Sequence, residues 1–186
     1  MNLYNYFVSL FTLSEVLLLV LKRSKKTSAK SQNDRKSLLL LWITIICCLV
    51  AGYMIARAHI WISGDPFLVE TTGISIIVAG FIIRWAAIIQ LGNMFTVDVS
   101  ISNIHILKTD GIYKIARHPS YLGLILIVAG LSLLMNNVLS SVIAIIPIFW
   151  AVNYRISVEE LALTKEFGYE YQQYKYKVKK IIPLLY

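Results

Sequence analysis

The sequence predicts an all-α, multi-pass membrane protein with about five transmembrane helices and a helical C-terminal tail on the cytoplasmic side. Three observations lead to this prediction. The 186-residue chain is 58% hydrophobic and only 15% charged, whereas soluble domains are about 45–50% apolar and about 25% charged. Five of its segments approach the roughly 20 apolar residues that a helix needs to cross a bilayer. Its basic residues concentrate in connections that five crossings would place on one side.

The five apolar segments follow one another along the whole chain. They cover residues 3–21, 37–60, 70–91, 119–135 and 138–156, and the last is predicted to continue as a helix beyond the membrane. Asn136 and Asn137 predict a tight hairpin between the fourth and fifth segments. Pro147 should kink the fifth segment, because proline removes one backbone hydrogen bond of a helix. The length of the chain allows a single domain.

The distribution of charge predicts the orientation. Residues 22–36, 92–118 and the tail from Arg155 together hold sixteen of the eighteen Lys and Arg residues. Positive residues concentrate on the cytoplasmic side, so the N-terminus is predicted outside and the C-terminus in the cytoplasm. The membrane would be the plasma (inner) membrane of a prokaryote or the endoplasmic reticulum of a eukaryote. The net charge of +8 is then mostly topological, with membrane lipid headgroups rather than nucleic acid as its expected partners.

Several classes of site are disfavoured by the sequence. Cys47 and Cys48 are adjacent within an apolar run, which fits neither a disulfide framework nor a metal-ligand spacing, so no metal is predicted. The Gly-x-Gly-x-x-Gly fingerprint of a Rossmann domain is absent. The N-terminal apolar run lacks the preceding basic region of a cleavable signal peptide. The chemistry is therefore expected from polar residues at the membrane surface.

Two ionisable residues fall inside predicted spans, where charges are costly and often functional. Glu15 lies in the inner half of the first segment, and Arg84 lies about two turns from the cytoplasmic end of the third. They could form a structural ion pair, or Arg84 could reach the headgroups or line a polar cavity. Four glycines are expected to permit close helix packing: Gly73, Gly80, Gly123 and Gly130.

Polar clusters on the predicted cytoplasmic side carry the candidate chemistry: HILKTDGIY (105–113), ARHPSYLG (116–123) and RISVEE (155–160). Pro119 suits the first turn of a helix, where free N–H groups favour an anionic or carbonyl-bearing ligand. Tyr113, His118 and Tyr121 supply aromatic faces suited to a purine or a sulfonium cation.

Within the third cluster, Arg155 and Glu159 lie four residues apart on one helix face. They either pair with each other, or Arg155 holds an anion while Glu159 holds a cation or a hydroxyl. Arg117 is expected to anchor its loop, either to lipid headgroups or to a neighbouring carboxylate.

The order of these clusters resembles a known family. HILKTDGIYKIARHPSYLG, followed about 30 residues later by RISVEELALTKEFGYEYQQYKYKVKKIIP, is similar to the isoprenylcysteine carboxyl methyltransferases, and phospholipid methyltransferases share a looser version. The resemblance runs from about Arg84 to Pro183. It implies one integral membrane domain over 1–186, with three membrane helices in 1–91 and a cofactor-binding and catalytic part with two further membrane helices in 92–186.

The resemblance also implies a cofactor and a set of site residues. S-adenosyl-L-methionine would be the methyl donor and S-adenosyl-L-homocysteine the product, in a pocket partly sealed by the C-terminal tail. Arg155 and Glu159 would be catalytic, with Arg155 contacting the substrate carboxylate. Asp98 stands where the family often has Gln, so that contact is left open. The implied cofactor-binding residues are His105, Ile106, Leu107, Lys108, Tyr113, His118, Pro119, Ser120, Tyr121 and Glu159.

The predicted function is methylation of the carboxylate of a lipophilic substrate, such as a C-terminal isoprenylcysteine. A carboxylate is already ionised at neutral pH, so positioning and removal of water can suffice. The alternative is phospholipid N-methylation of the phosphatidylethanolamine type. An amine must lose a proton, which would require Glu159 or Glu160 as a base. A non-enzymatic transporter or scaffold is a remote alternative, and it would tolerate substitution at His118 and Glu159.

Overall fold

The structure is a computed structural model that describes residues 2–21, 32–58, 65–92 and 107–181. Over these ranges the chain forms five α-helices and one short 3₁₀ turn, which confirms the predicted all-α, multi-pass architecture. The elements are α1 (Asn2–Leu21), α2 (Gln32–Arg57), α3 (Pro66–Leu91), the 3₁₀ turn (Gly111–Lys114), α4 (Pro119–Leu133) and α5 (Val138–Lys177).

The helices differ in how well they match the thickness of a bilayer. Among the described ranges, four helices are long and apolar enough to cross a membrane: α1, α2, α3 and α5. The fourth predicted span, α4, has 15 residues and is therefore about 22 Å long, shorter than the roughly 30 Å hydrocarbon core. The chain turns at Leu134 instead of continuing the helix, so the described residues contain four helices of spanning length and one shorter apolar helix.

The helix starts follow local capping chemistry. Asp65 caps α3 by accepting a hydrogen bond from the Phe67 amide at 3.0 Å, and Pro66 occupies the first turn. Asn137 caps α5 by accepting from the Ser140 amide at 3.0 Å. Asn136 precedes it with a φ of 47°, a conformation that asparagine tolerates better than most residues. The predicted hairpin between the last two helices is confirmed.

Glycines bring α3 and α4 together as an antiparallel pair. A Cβ atom added to Gly80 would lie 2.8 Å from the carbonyl oxygen of Gly123, and one added to Gly130 would lie 2.6 Å from that of Gly73. Either methyl group would overlap backbone of the facing helix. The predicted role of all four glycines in close helix packing is confirmed.

The other extensive contact joins α2 to α5, and α5 changes direction near its end. Gly168, with φ 51° and ψ −119°, is the residue inside α5 with non-helical backbone angles, whereas Pro147 keeps helical ones. The strongest break in α5 therefore lies at Gly168 and not at the predicted kink. The segment 169–181 turns back toward the start of α4, as its contacts below show.

The two ionisable residues within the spans form a buried bidentate ion pair. Arg84 donates from Nε to Glu15 Oε1 and from Nη2 to Glu15 Oε2, both at 2.6 Å. Its Nη1 donates to the carbonyl and the hydroxyl of Ser120, at 3.1 and 3.2 Å. The structural-pair alternative is correct, and Arg84 does not reach toward headgroups, because its side chain is only 8% exposed.

Candidate active site

One end of the bundle gathers the polar motifs of the sequence. There the start of α2 meets the middle of α5 through Asp34 and Arg155. The end of α3 meets the 3₁₀ turn, since the Tyr113 hydroxyl donates to the Ala87 carbonyl at 3.2 Å. Tyr121 in the first turn of α4 completes the group. Residues far apart in sequence therefore line a single region.

Arg155 is almost completely buried, at 1% exposure. Its Nε donates to the Tyr121 hydroxyl at 3.3 Å. Its Nη1 lies 2.5 Å from Asp34 Oδ1 and 3.0 Å from the Asp34 carbonyl. The Ser37 hydroxyl is a further acceptor for Nη1 at 2.8 Å. Side chains from α2 and α4 thus fix the guanidinium of α5 on two sides.

Glu159 lies one helical turn beyond Arg155 and is only partly buried. No ion pair joins it to Arg155 or to any other described residue, so the first of the two alternatives from the sequence is wrong. Burial, and then the nearby Glu159 carboxylate, raises the pKa of the Tyr113 phenol well above its usual value. Tyr113 therefore remains a neutral hydroxyl beside a half-buried carboxylate.

The adjacent carboxylate, Glu160, lies in a buried cluster of charges. Its Oε1 accepts from Arg117 Nε and Nη2 at 3.0 and 2.9 Å, and lies 3.2 Å from His118 Nε2. Its Oε2 lies 3.0 Å from Lys175 Nζ. We refer to these four side chains as the clasp. Arg117 is thus anchored to a neighbouring carboxylate, one of the two roles considered from the sequence.

The clasp fastens the segment 169–181 against the residues that precede α4. Arg117 Nη1 also donates to the carbonyls of Lys175 and Val178. The amides of Arg117 and His118 donate to the carbonyls of Lys179 and Lys180, at 2.9 and 3.0 Å. These contacts hold the C-terminal segment over the region that contains Tyr113.

Two tyrosines of this segment have different surroundings. The Tyr174 hydroxyl donates to the Tyr113 carbonyl at 2.5 Å. The Tyr171 side chain is 1% exposed, and its hydroxyl has no hydrogen-bond partner among the described residues. Glu160 and Glu159 both act on it electrostatically. A buried polar atom without a partner is uncommon in native proteins, and here it lies beside the candidate site.

The remaining predicted site residues are only partly brought together. His118 and Tyr121 are neighbours, with ring centroids 6.0 Å apart, and Pro119 occupies the first turn of α4 as predicted. Ser120 accepts hydrogen bonds from Arg84 of α3. His105 and Ile106, together with Asp98, lie outside the described residues.

At the other edge of the region, Leu107 is half-buried and Lys108 forms an ion pair with Asp110 at 3.0 Å. The hydrogen bond from Lys108 lowers the pKa of the Asp110 carboxyl. The ammonium group of Lys108 is therefore engaged by Asp110, and any cofactor contact at this residue would be made by its backbone.

Sequence reasoning missed two acidic residues of this region. Asp34 belonged to a connection dominated by Lys and Arg, and α2 was predicted to start at 37, whereas the helix begins at Gln32. The helical extension carries Asp34 to 1% exposure. Glu160 was not predicted to be buried, because adjacent glutamates usually lie on solvated helix surfaces. An isolated acid in a basic segment was the available signal for Asp34.

Among the described ranges, no group of three or more His, Cys, Asp or Glu side chains is arranged to hold a metal ion. Within the described part of the region, Arg155, Arg117 and Lys108 are paired with carboxylates, whereas Glu159 forms no ion pair. The chemistry that the region supports is the binding of charged organic groups, with Arg155 suited to an anion and Glu159 to a cation or a hydroxyl.

Comparison with known proteins shows which family the chain resembles. The model of the isoprenylcysteine carboxyl methyltransferase (ICMT) family matches residues 73–165, half of the chain. The protein-S-isoprenylcysteine O-methyltransferase of Saccharomyces cerevisiae is 30% identical over 190 residues, which cover 99% of this chain and 80% of that protein. The Schizosaccharomyces pombe enzyme of the same name is 29% identical over 192 residues, which cover 96% and 81%.

Other relatives are longer than this chain. Protein-S-isoprenylcysteine O-methyltransferase A of Arabidopsis thaliana is 32% identical over 131 residues, which cover 69% of this chain and 63% of the relative. The solved structure of the eukaryotic intramembrane Ras methyltransferase ICMT has a TM-score of 0.68 at 24% identity, and the match covers 98% of this chain and 65% of the other. The fold is shared, and the chain spans under two thirds of these two proteins. The predicted resemblance is confirmed: the chain belongs to the isoprenylcysteine carboxyl methyltransferase family.

Proposed function

We propose that this chain methylates the carboxylate of a C-terminal isoprenylcysteine, with S-adenosyl-L-methionine as the donor. The observation that carries the proposal is that two side chains of opposite charge lie on one face of α5. Arg155 is a buried cation suited to a carboxylate, and Glu159, four residues later, is a half-buried carboxylate that forms no ion pair with any residue the structure describes. The names of the yeast and plant relatives support the prenylated substrate.

The residues around Glu159 fit the proposed cofactor. S-adenosyl-L-methionine offers ribose hydroxyls, an ammonium group, a sulfonium and a purine. A half-buried carboxylate can accept from hydroxyl or ammonium groups, and the aromatic rings of Tyr113, Tyr121 and His118 can contact the purine or the sulfonium. The unpaired hydroxyl of Tyr171 is a further polar group at the same place.

The bound cofactor would supply an electrophilic methyl group, and the side chains of the protein hold the reacting groups in place. Arg155 orients the acceptor carboxylate through its N–H groups, assisted by the Tyr121 hydroxyl. No general base is required, because the acceptor is already an anion at neutral pH. The clasp keeps the segment 169–181 in place, and the resulting exclusion of water strengthens every electrostatic contact inside.

The phospholipid N-methyltransferase alternative is less well supported. An amine acceptor needs a base, and Glu160 is unsuited to that role because three cationic or potentially cationic side chains surround it. Arg155 also presents N–H donors, which suit a carboxylate oxygen and not an ammonium acceptor. Family membership points in the same direction.

We propose further that the site faces the cytoplasm, with the N-terminus outside. The start of α2, the connection before α4 and the segment after Arg155 meet at one end of the bundle, which supports a common side for the three basic regions. Thiol labelling of intact cells or spheroplasts can test this. Cysteine introduced at Lys177 should react only after permeabilisation, whereas cysteine introduced at Phe67 should react with a membrane-impermeant reagent before it.

The activity can be tested on purified protein. Incubation with methyl-labelled S-adenosyl-L-methionine and N-acetyl-S-farnesylcysteine should give a base-labile methyl ester. Stable methyl label on phosphatidylethanolamine would select the alternative, and no transfer to either acceptor would refute the proposal. Calorimetry with S-adenosyl-L-homocysteine should detect binding independently of the acceptor.

A further inference from the structure

The ion pair between Asp34 of α2 and Arg155 of α5 lies inside the protein, and Tyr121 of α4 contacts it as well. Both side chains are almost inaccessible, at 2% and 1% exposure. Ser37, one turn after Asp34, donates to the Asp34 carbonyl at 2.9 Å and accepts from Arg155 Nη1. On the other side, Arg155 Nε donates a hydrogen bond to the Tyr121 hydroxyl. The guanidinium is therefore held on its Nη1 side by α2, while its Nε side faces the partly buried Tyr121.

Burying such a pair has a cost that requires an explanation. Replacement of a buried ion pair by apolar residues is often neutral or stabilising, so the pair is weak evidence for a purely structural role. If Arg155 only had to bind a carboxylate, a buried aspartate on the same guanidinium would be a disadvantage, because it cancels most of the attraction.

The charge balance of the proposed reaction supplies the explanation. A carboxylate oxygen forms a bond to the methyl carbon while the bond from that carbon to the sulfonium sulfur breaks, and the electron pair of the broken bond stays on sulfur. One negative and one positive charge disappear, leaving an ester and a neutral thioether. A group that stabilises the acceptor anion by its full charge therefore stabilises the ground state more than the transition state, which slows the chemical step.

We propose that Asp34 is a positioning residue that neutralises Arg155 while fixing its orientation. This inference rests on the proposed function. The pair without net charge holds the acceptor by directed hydrogen bonds from Arg155 and Tyr121, and it does not stabilise the anion as strongly as an isolated guanidinium would. The position of Asp34 in the first turn of α2 suits its own charge, because a helix N-terminus favours an anion.

The first test is the steady-state kinetics of Asp34→Asn with N-acetyl-S-farnesylcysteine. Asparagine keeps an acceptor for Nη1 but removes the charge. We expect KM for the acceptor and kcat each to fall by about fivefold, with the affinity for S-adenosyl-L-homocysteine changed by less than about twofold. A structural role alone would lower the active fraction, and so kcat, without lowering KM. An unchanged or raised KM therefore overturns the inference.

Ser37→Ala is the matched control, since it removes one hydrogen bond from Nη1 and leaves both charges. We expect its KM to stay within about twofold of the wild type. A fall in KM as large as that of Asp34→Asn would show that loosening of the guanidinium, and not its charge, causes the effect, and would overturn charge compensation.

A second test uses the wild-type protein and does not depend on the folding of a variant. With S-adenosyl-L-homocysteine bound, N-acetyl-S-farnesylcysteine and its carboxamide should bind with affinities within about fivefold of each other. An acid that binds more than about thirtyfold tighter would show that Arg155 acts as an uncompensated charge and would overturn the inference. If the wild type forms no methyl ester, the proposed function itself fails. If it forms the ester but prefers the acid strongly, only the role of Asp34 fails.

Discussion

Glu159 and Glu160 are adjacent in sequence, yet the surroundings of their carboxylates are opposite. Glu160 is 8% exposed and takes hydrogen bonds or ion pairs from three side chains of the clasp. Glu159 is half-buried and makes no ion pair with any described residue. Successive residues of a helix point about 100° apart, so one turn of α5 presents one carboxylate to the clasp and the other to the candidate site.

The two neighbouring carboxylates therefore have different roles: one stabilises the structure, and the other is available to bind a ligand. A buried carboxylate whose acceptor positions are taken by Arg and Lys contributes to holding segments together. A carboxylate without such partners retains its capacity to bind a ligand. The two residues therefore should respond differently to substitution, and the following variants test that expectation.

Glu160→Ala should produce the largest loss of stability. It leaves Arg117 buried, with a side chain only 9% exposed, and without its carboxylate. Removing one partner of a buried ion pair costs about 3–5 kcal/mol. Denaturant titration of the detergent-solubilised protein should show this loss. Glu166→Ala, at an exposed position of the same helix, is the control and should change the free energy of unfolding by less than about 0.5 kcal/mol. Equal effects would contradict the structural assignment of Glu160.

Gly168→Ala should have the next largest effect. An added Cβ would meet no atom within 4 Å, but the backbone has a φ of 51°, which costs a residue with a side chain about 1–3 kcal/mol. The strain weakens the return of segment 169–181. Because Glu160→Ala releases the same segment, the double variant should lose less stability than the two single losses added together. Simple additivity would show that the hinge and the clasp act separately.

Glu159→Gln should leave the stability nearly unchanged and weaken binding. Loss of a hydrogen bond to a charged group costs about 1.5–3 kcal/mol, so the affinity for S-adenosyl-L-homocysteine should fall by about tenfold or more in calorimetry. The unfolding midpoint should stay within about 2 °C of the wild type. A stable variant with unchanged affinity would remove Glu159 from the proposed cofactor site.

The sequence was sufficient for the helices and for the motifs, because both depend on local information. Apolar length predicted the five segments, and the four glycines predicted close helix packing, although not which helices would meet. The hairpin followed from Asn136 and Asn137. The break at Gly168 was not predicted, since a glycine near the end of a long polar helix gives no sign of its backbone angles until the contacts of the following segment are known.

The partners of the charged residues could not be predicted in the same way. Arg155 was recognised, but its partner Asp34 is 121 positions away, and nothing local connects them. The same holds for Arg117 and Lys175, which meet only because α5 turns back. Pairing within the bundle depends on helix register and on the ends of helices, and these are the features that apolar patterns specify least.

Two tyrosines of the segment 169–181 provide the smallest and most discriminating comparison. Tyr174→Phe removes the hydrogen bond to the Tyr113 carbonyl and should cost about 1 kcal/mol of stability. Tyr171→Phe removes a buried hydroxyl that has no hydrogen-bond partner in the described part of the chain, so stability should be unchanged or slightly higher. If that hydroxyl belongs to the cofactor site, Tyr171→Phe should nevertheless weaken S-adenosyl-L-homocysteine binding by a few fold. Equal destabilisation by both changes would show that the Tyr171 hydroxyl is satisfied in the folded protein.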